Sequence, residues 1–130
     1  MYTLGIDIGS TTSKCAVIKD GTELAGRSLQ RGGLGTDGPA EALAELWRTC
    51  GLTQADMDRT VVTGYGRKNY EGADSEISEL TAHALGGRFV FPDLRTVIDI
   101  GGQDAEVIAL TPSGKMSNFV MNDKCAAGTG

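Results

Sequence analysis

Cysteine is scarce in this chain of 130 residues, and its three occurrences (Cys15, Cys50 and Cys125) are widely separated and odd in number. A disulfide framework needs paired cysteines, so we expect free thiols in a reducing cytoplasm. Long hydrophobic runs are also absent, and the opening MYTLGIDIGS already has the pattern of a strand that contains an aspartate. We therefore expect neither a membrane span nor a signal peptide.

Positive charge is in short supply as well. Lysine and arginine number 12 against 17 aspartates and glutamates, which gives a net charge of -5. Non-specific nucleic-acid binding needs clustered cationic side chains, so we expect no nucleic-acid partner. The motif GxxxxGK[ST] does not occur, which excludes a Walker-type phosphate loop.

Glycine, by contrast, is abundant. The 19 glycines fall in pairs and short motifs and do not form a low-complexity tract. Glycine adopts backbone conformations that other residues avoid and lets the backbone approach a ligand closely. We interpret these motifs as tight turns, some of them at a binding site.

The first half of the chain predicts an α/β fold that begins with three strands. These strands are expected at residues 2–8, 15–18 and 22–29, with a hairpin turn at Asp20-Gly21. A helix is predicted between an N-cap at Asp37 and a stop at Gly51, and RTVVTGYGR predicts a strand that runs into a glycine turn. A second helix is predicted in SEISELTAHALGG, with boundaries at Asp74 or Ser75 and at Gly86-Gly87.

The second half begins the strand pattern again. TVIDIGGQDAEVIAL predicts a strand, a glycine turn and a strand, and MSNFVMND predicts one more strand. We therefore predict a first lobe over residues 1–94 and the start of a second lobe over residues 95–130, with the seam near Pro92-Asp93.

Two turns carry the chemistry. GIDIGSTTSK and VIDIGGQDAE each place an aspartate, Asp7 or Asp99, two residues before a glycine that follows an apolar strand. Backbone N–H groups in such turns can surround a phosphate oxyanion, and a nearby carboxylate can hold Mg²⁺ through waters. Two such hairpins that face each other across a cleft would hold a nucleotide's phosphates from both sides. The metal and the donors would stabilise the phosphate charge, and such electrostatic stabilisation is the main catalytic effect in phosphoryl transfer.

Four segments in this order, DIGSTTSK, TGYGR, VIDIGGQD and MNDKCAAGTG, resemble the ATPase activators of 2-hydroxyacyl-CoA dehydratases and the ATPase subunits of benzoyl-CoA reductases. That family belongs to the acetate and sugar kinase, heat-shock ATPase and actin superfamily. The resemblance covers the whole chain and implies an actin-like (ribonuclease H-like) lobe of β-β-β-α-β-α order, followed by the opening strands of a similar lobe.

The resemblance also implies ATP, Mg²⁺, a homodimer with a [4Fe-4S] cluster shared between its subunits, and an acyl-CoA dehydratase or reductase as electron acceptor. It assigns catalytic roles to Asp7, Asp99, Gln103 and Asp104, contacts with the nucleotide to Gly9, Ser10, Thr11, Thr12, Lys14, Gly101 and Gly102, and cluster ligation to Cys125.

Cys125 precedes the small residues AAGTG, which we interpret as the beginning of a helix. A thiolate there is stabilised by the helix dipole and by unpaired N–H groups, and the same N–H groups can tune a cluster's potential.

The sequence departs from the family pattern in two ways. An adenosine-binding glycine motif and a second cluster cysteine are missing, so we expect a fragment that neither hydrolyses ATP well nor holds a stable cluster by itself. The family often has a basic residue where Glu106 stands, and we expect Glu106 to point away from bound phosphates.

Two further side chains have open interpretations. Arg67 could reach a phosphate or an acidic group of a second subunit, or be a solvated loop residue. His83, the only histidine, is expected to be structural, although a general-base role is possible, and Glu79 lies four residues before it on the predicted helix.

Two other functions fit the same turns. A small-molecule kinase of the superfamily would transfer phosphate to a hydroxyl and would not use Cys125. A non-enzymatic nucleotide-sensing domain would bind nucleotide in order to switch a partner.

Overall fold

The computed structural model describes residues 1–102 and 104–122. The chain divides into two compact units, Met1–Ile77 and Ser78–Gly130. None of the helices in the described part of the chain has the length and hydrophobicity of a membrane span.

The first unit is a five-stranded sheet covered by one helix. Strands β1, β2 and β3 form an antiparallel meander, and β4 and then β5 continue the sheet in parallel from the other side of β1, which gives the order β3-β2-β1-β4-β5. Helix α1 connects β3 to β4. The elements are β1 (Tyr2–Ile8), β2 (Thr12–Lys19), β3 (Glu23–Arg31), α1 (Gly38–Cys50), β4 (Arg59–Thr63) and β5 (Ser75–Glu76).

The core of this unit lies between the sheet and α1. Leu4, Ile6 and Ile8 alternate along β1 and are buried with Ala42 and Leu46 of α1. Alternation in a strand and a four-residue spacing in a helix each bring apolar side chains to one face, which is why these elements pack together.

Turn residues fix the boundaries of these elements as predicted. Asp20 and Gly21 both have positive φ angles, 52° and 73°, as a tight hairpin turn requires. Gly51 ends α1 in the left-handed conformation. Asp37 is at the N-cap position of α1, but its side chain makes no capping hydrogen bond, and Thr36 Oγ1 accepts from the Gly38 N–H instead.

The second unit is a helix packed on a three-stranded antiparallel sheet. Ala84 of the helix is buried with two residues of the middle strand, Ile108 and Leu110. The elements are α2 (Glu79–Val90), β6 (Thr96–Ile100), β7 (Ala105–Leu110) and β8 (Met116–Asn122), and the sheet order is β6-β7-β8.

The predicted boundaries of α2 are wrong at both ends. Ser78 caps the helix by accepting a hydrogen bond from the Thr81 N–H, because Asp74 instead accepts from the Thr60 N–H and Ser75 belongs to β5. The helix also continues through Gly86-Gly87 and ends at Val90. A Cβ at Gly87 would lie 2.5 Å from Leu94 Cδ2. The glycine there gives Leu94 room and does not stop the helix.

The observed fold is the predicted α/β arrangement, with the short β5 added between β4 and α2. The predicted lobes, 1–94 and 95–130, follow from the order of elements and remain a prediction. By its packing, α2 belongs to the second unit.

Cys15 lies in the core of the first unit, on β2. Burial raises the pKa of its thiol from 9.0 to about 11; a side-chain hydrogen bond with Ser28 opposes this shift, and the charge of Asp7 adds to it. Because the native state holds this proton more tightly, the stability that the thiol contributes is complete below about pH 9 and is lost as the pH rises through 11.

We therefore predict that iodoacetamide at pH 8 modifies Cys15 much more slowly than Cys50, which is partly exposed. Only thiolate reacts, and the Cys15 thiol is both protonated and covered. Peptide mass spectrometry over a time course measures the two rates, and urea-unfolded chain is the control in which the rates should converge. Equal rates in the native chain would contradict this placement of Cys15.

Candidate functional site

The first glycine hairpin lies between Ile8 of β1 and Ser13 of β2, the last residues of these strands that oppose each other in register. The four residues between them are Gly9, Ser10, Thr11 and Thr12. The Gly9 N–H donates to the Thr12 carbonyl oxygen at 2.9 Å and closes the turn. A Cβ at Gly9 would lie 3.0 Å from that oxygen, so the turn is tightest with glycine. The two hydroxyl residues between Gly9 and Thr12 are thereby held at its tip.

Asp7 stands just before this hairpin, in the middle of a polar row across three strands. Lys14 of β2 and Thr63 of β4 are its partners in register on either side. The Lys14 ammonium donates to Asp7 Oδ2 at 2.9 Å, and both side chains keep partial exposure. Thr63 Oγ1 is buried and has no hydrogen-bond partner among the described residues. The row therefore offers a cation, a carboxylate and a hydroxyl beside the turn.

Two further loops lie against this hairpin. The Leu34 N–H donates to the Gly9 carbonyl oxygen at 2.9 Å, and the Gly66 N–H donates to the Ile8 carbonyl oxygen at 2.9 Å. The sequence did not reveal these contacts, because they join segments that are far apart along the chain. The repeated glycines of RGGLG and TGYG were the only sequence feature that could have indicated loops packed closely against this hairpin.

Glycine is required at Gly64 by its surroundings. Its φ angle is +91°, and a Cβ there would collide with the Ile8 carbonyl oxygen and lie 2.5 Å from Asp7 Oδ1. The Arg67 guanidinium donates to the Gly64 carbonyl oxygen at 3.0 Å. The TGYGR segment thus packs closely against Ile8 and the carboxylate of Asp7 through Gly64. A phosphate contact of Arg67 remains a prediction.

The second hairpin, within the other unit, has the same construction. Its loop is Gly101 to Asp104, and the Gly101 N–H donates to the Asp104 carbonyl oxygen at 2.8 Å. A Cβ at Gly101 would lie 2.9 Å from Asp104 Oδ1. Asp99 precedes this turn as Asp7 precedes the first. Gln103 and Cys125 lie outside the described residues.

The partner in register of Asp99 is Glu106, and here the two hairpins differ. Glu106 is only 1% exposed, and its Oε2 is 2.8 Å from His83 Nδ1. Asp99 Oδ2 is 3.6 Å from Nε2 of the same ring. Both carboxylates approach the imidazole that α2 places over β6 and β7. The expectation that Glu106 points away from bound phosphates remains a prediction. The structure pairs His83 with Glu106 and not with Glu79 as the helical spacing suggested.

Comparison with known proteins identifies relatives of the whole chain. The model of the BadF/BadG/BcrA/BcrD ATPase family matches residues 4–130. A 2-hydroxyisocaproyl-CoA dehydratase activator from Clostridioides difficile is 52% identical over 130 residues, which are 100% of this chain and 49% of that protein. An (R)-2-hydroxyglutaryl-CoA dehydratase activating ATPase from Acidaminococcus fermentans is 53% identical, over 100% of this chain and 50% of that protein.

A solved structure agrees with these relatives. The activator of the 2-hydroxyisocaproyl-CoA dehydratase from Clostridium difficile with bound ADPNP superposes with a TM-score of 0.94 at 52% identity, over 98% of this chain and 48% of that one. The fold is the actin-like ATPase fold that the sequence predicted. The chain spans about half the length of the relatives that it matches.

We predict that Gly64→Ala destabilises the first unit more than Gly35→Ala does. Both glycines have positive φ angles, +91° and +80°, so each substitution adds left-handed strain of about 1–2 kcal/mol. Only at Gly64 would the new methyl group also meet the Ile8 carbonyl and the Asp7 carboxylate, since nothing lies within 4 Å at Gly35. Urea unfolding of both variants measures the difference, and equal losses would contradict the packing described here.

Proposed function

Because the chain belongs to the BadF/BadG/BcrA/BcrD ATPase family, we propose that it is the phosphate-binding half of an ATP-hydrolysing activator with a [4Fe-4S] cluster. The activator delivers a low-potential electron to a 2-hydroxyacyl-CoA dehydratase or a benzoyl-CoA reductase-type enzyme. The observation that carries this proposal is the pair of four-residue hairpins, each closed by the same glycine hydrogen bond and each preceded by an aspartate. The relatives named as dehydratase activators support it.

The first hairpin suits the phosphates of ATP. Its closed turn is tightest with glycine at Gly9, so no side chain there blocks an approaching ligand, and Lys14 places an ammonium group beside the turn. Asp7 would hold Mg²⁺ through waters, since that ion keeps most of its hydration shell. The nucleotide contacts in this hairpin are assigned to Gly9, Ser10, Thr11, Thr12 and Lys14.

The second hairpin supplies the other set of contacts. Gly102 would face phosphate oxygens with its N–H group, as glycines in such turns commonly do. Gly101, whose N–H closes the turn, would let the backbone approach them closely. Asp99 and Asp104, together with Gln103, would position the attacking water and the metal. Bound Mg²⁺ neutralises charge that develops on the transferred phosphoryl group, and the protein's part is to hold the reacting groups in place.

Cys125 is proposed as a cluster ligand in a homodimer that shares one cluster between its subunits. Within the described residues no other cysteine competes for this role, because Cys15 is buried in the sheet core and Cys50 lies on α1 against that core. The other ligand from each subunit would come from the part of the family's length that this chain does not span.

The first test is the ATPase rate of the full-length protein. Asp7→Asn should lower the rate about 10²- to 10³-fold, because it removes a charge that holds the metal against the phosphates. Asp20→Asn is the matched control: Asp20 lies in the exposed hairpin turn, 2.7 Å from the chain's amino terminus, and its loss should leave the rate unchanged. A wild-type rate in Asp7→Asn would refute the phosphate assignment.

The second test is cluster content and electron delivery. Full-length Cys125→Ser, prepared and reconstituted without oxygen, should lose iron, acid-labile sulfide and activation of the dehydratase. Cys50→Ser should retain all three, since Cys50 packs at the end of α1. Stoichiometric iron in Cys125→Ser, or in the isolated 130 residues, would contradict the shared-cluster proposal.

A further inference from the structure

The two hairpins share their register but not their charge. Opposite Asp7 stands Lys14, whose ammonium group neutralises it at 2.9 Å. Opposite Asp99 stands Glu106, so the second hairpin places two carboxylates on directly opposed residues of neighbouring strands. Like charges in that position destabilise a sheet. The second hairpin thus lacks the cation that the first one contains.

The burial of Glu106 makes this excess of negative charge more costly. It is 1% exposed, and its Oε1 is buried without a hydrogen-bond partner in the described part of the chain. A buried carboxylate is costly unless it is both paired and hydrogen-bonded. His83 is the only basic group that the structure places beside these two acids among the described residues. One imidazole cannot neutralise two carboxylates.

His83 has one carboxylate near each of its two ring nitrogens. Glu106 Oε2 lies 2.8 Å from Nδ1 and, as a carboxylate, would accept a proton from it. In the neutral ring with Nδ1 protonated, the lone pair of Nε2 is on the side of Asp99, whose Oδ2 is 3.6 Å away. A carboxylate that accepts from one ring nitrogen commonly orients the other for a metal ion. This arrangement would account for the burial of Glu106.

The separation of Nε2 and Asp99 Oδ2 fits a cation between them. At 3.6 Å it exceeds an ordinary hydrogen bond. Two ligands at about 2.1 Å from one ion in tetrahedral geometry lie about 3.4 Å apart. One ligand atom from each of His83, Asp99 and Glu106 lies within 4.8 Å of the others.

We propose that His83, Asp99 and Glu106 form a site for a divalent first-row transition metal ion, with His83 Nε2 and Asp99 as direct ligands and Glu106 as the orienting carboxylate. A nitrogen and an oxygen ligand suit Zn²⁺, Co²⁺ or Mn²⁺ better than Mg²⁺, which prefers oxygen alone. The site shares Asp99 with the second hairpin of the proposed function, and it goes beyond that function because binding of this ion needs neither nucleotide nor cluster.

The single histidine makes the test direct, since every imidazole signal comes from His83. The chain is labelled with ¹⁵N and carries Cys125→Ser, so that this thiolate does not bind the added metal. Long-range ¹H–¹⁵N spectra are recorded as Zn²⁺ is added, without nucleotide. We expect Nδ1 to remain protonated and the Nε2 signal to move in a saturable way. An unchanged ring spectrum, or metal on Nδ1, would overturn the proposal.

Variants separate the three roles, with Co²⁺ affinity measured by calorimetry and by its visible spectrum. His83→Gln and Asp99→Asn should abolish saturable binding. Glu106→Gln should weaken binding about 10- to 100-fold, as the loss of an orienting partner does. Glu79→Gln, a carboxylate one turn away on α2, should bind as the parent chain does. Equal affinity in all four variants would overturn the site.

A parallel titration with Mg²⁺ distinguishes this proposal from the nucleotide's own metal. We expect Mg²⁺ to leave the His83 signals unmoved at concentrations where Zn²⁺ saturates them. Equal responses to the two ions would overturn the assignment to a transition metal. The ATPase result for Asp7→Asn is independent of either outcome, since Asp7 lies in the other hairpin.

Discussion

One backbone hydrogen bond, from the first glycine after a strand to the carbonyl three residues later, is the constraint on which the site depends. It occurs twice, from Gly9 to Thr12 and from Gly101 to Asp104. Each bond closes a four-residue loop, and that loop length fixes which residues oppose each other on the two strands. Asp7 is therefore held opposite Lys14, and Asp99 is held opposite Glu106. Without this closure the carboxylates would have no defined partners.

Close packing by glycine keeps the first hairpin in place. The loops that carry Leu34 and Gly66 donate N–H groups to Gly9 and Ile8, so the backbone beside Asp7 is supported by two segments distant in sequence. Gly64 permits this approach because no side chain stands between it and the Asp7 carboxylate. Such support is what a phosphate site needs, since its electrostatic effect depends on groups that are held in position before the ligand arrives.

Local signals predicted most of the fold, and long-range contacts account for what was missed. β1, the Asp20-Gly21 turn and the end of α1 at Gly51 depend on neighbouring residues, so the sequence alone indicated them. The start of α2 could not be predicted in this way, because Asp74 accepts a hydrogen bond from the Thr60 N–H on β4 and does not cap the helix. Likewise, the position of Glu106 depends on a helix 23 residues earlier, whereas helical spacing had suggested a partner for His83 within α2.

The register of the hairpins explains why they differ in charge. A side chain opposite the aspartate is held close to it whatever its type, so a lysine there neutralises the acid and a glutamate requires a further cation. Lys14 meets this need in the first unit with a flexible, partly exposed ammonium group. In the second unit the buried Glu106 takes that position, and His83 from the covering helix stands between the two acids. The same hairpin backbone thus holds an aspartate beside a lysine in the first unit. In the second unit it holds two carboxylates beside one imidazole, which is the proposed metal site.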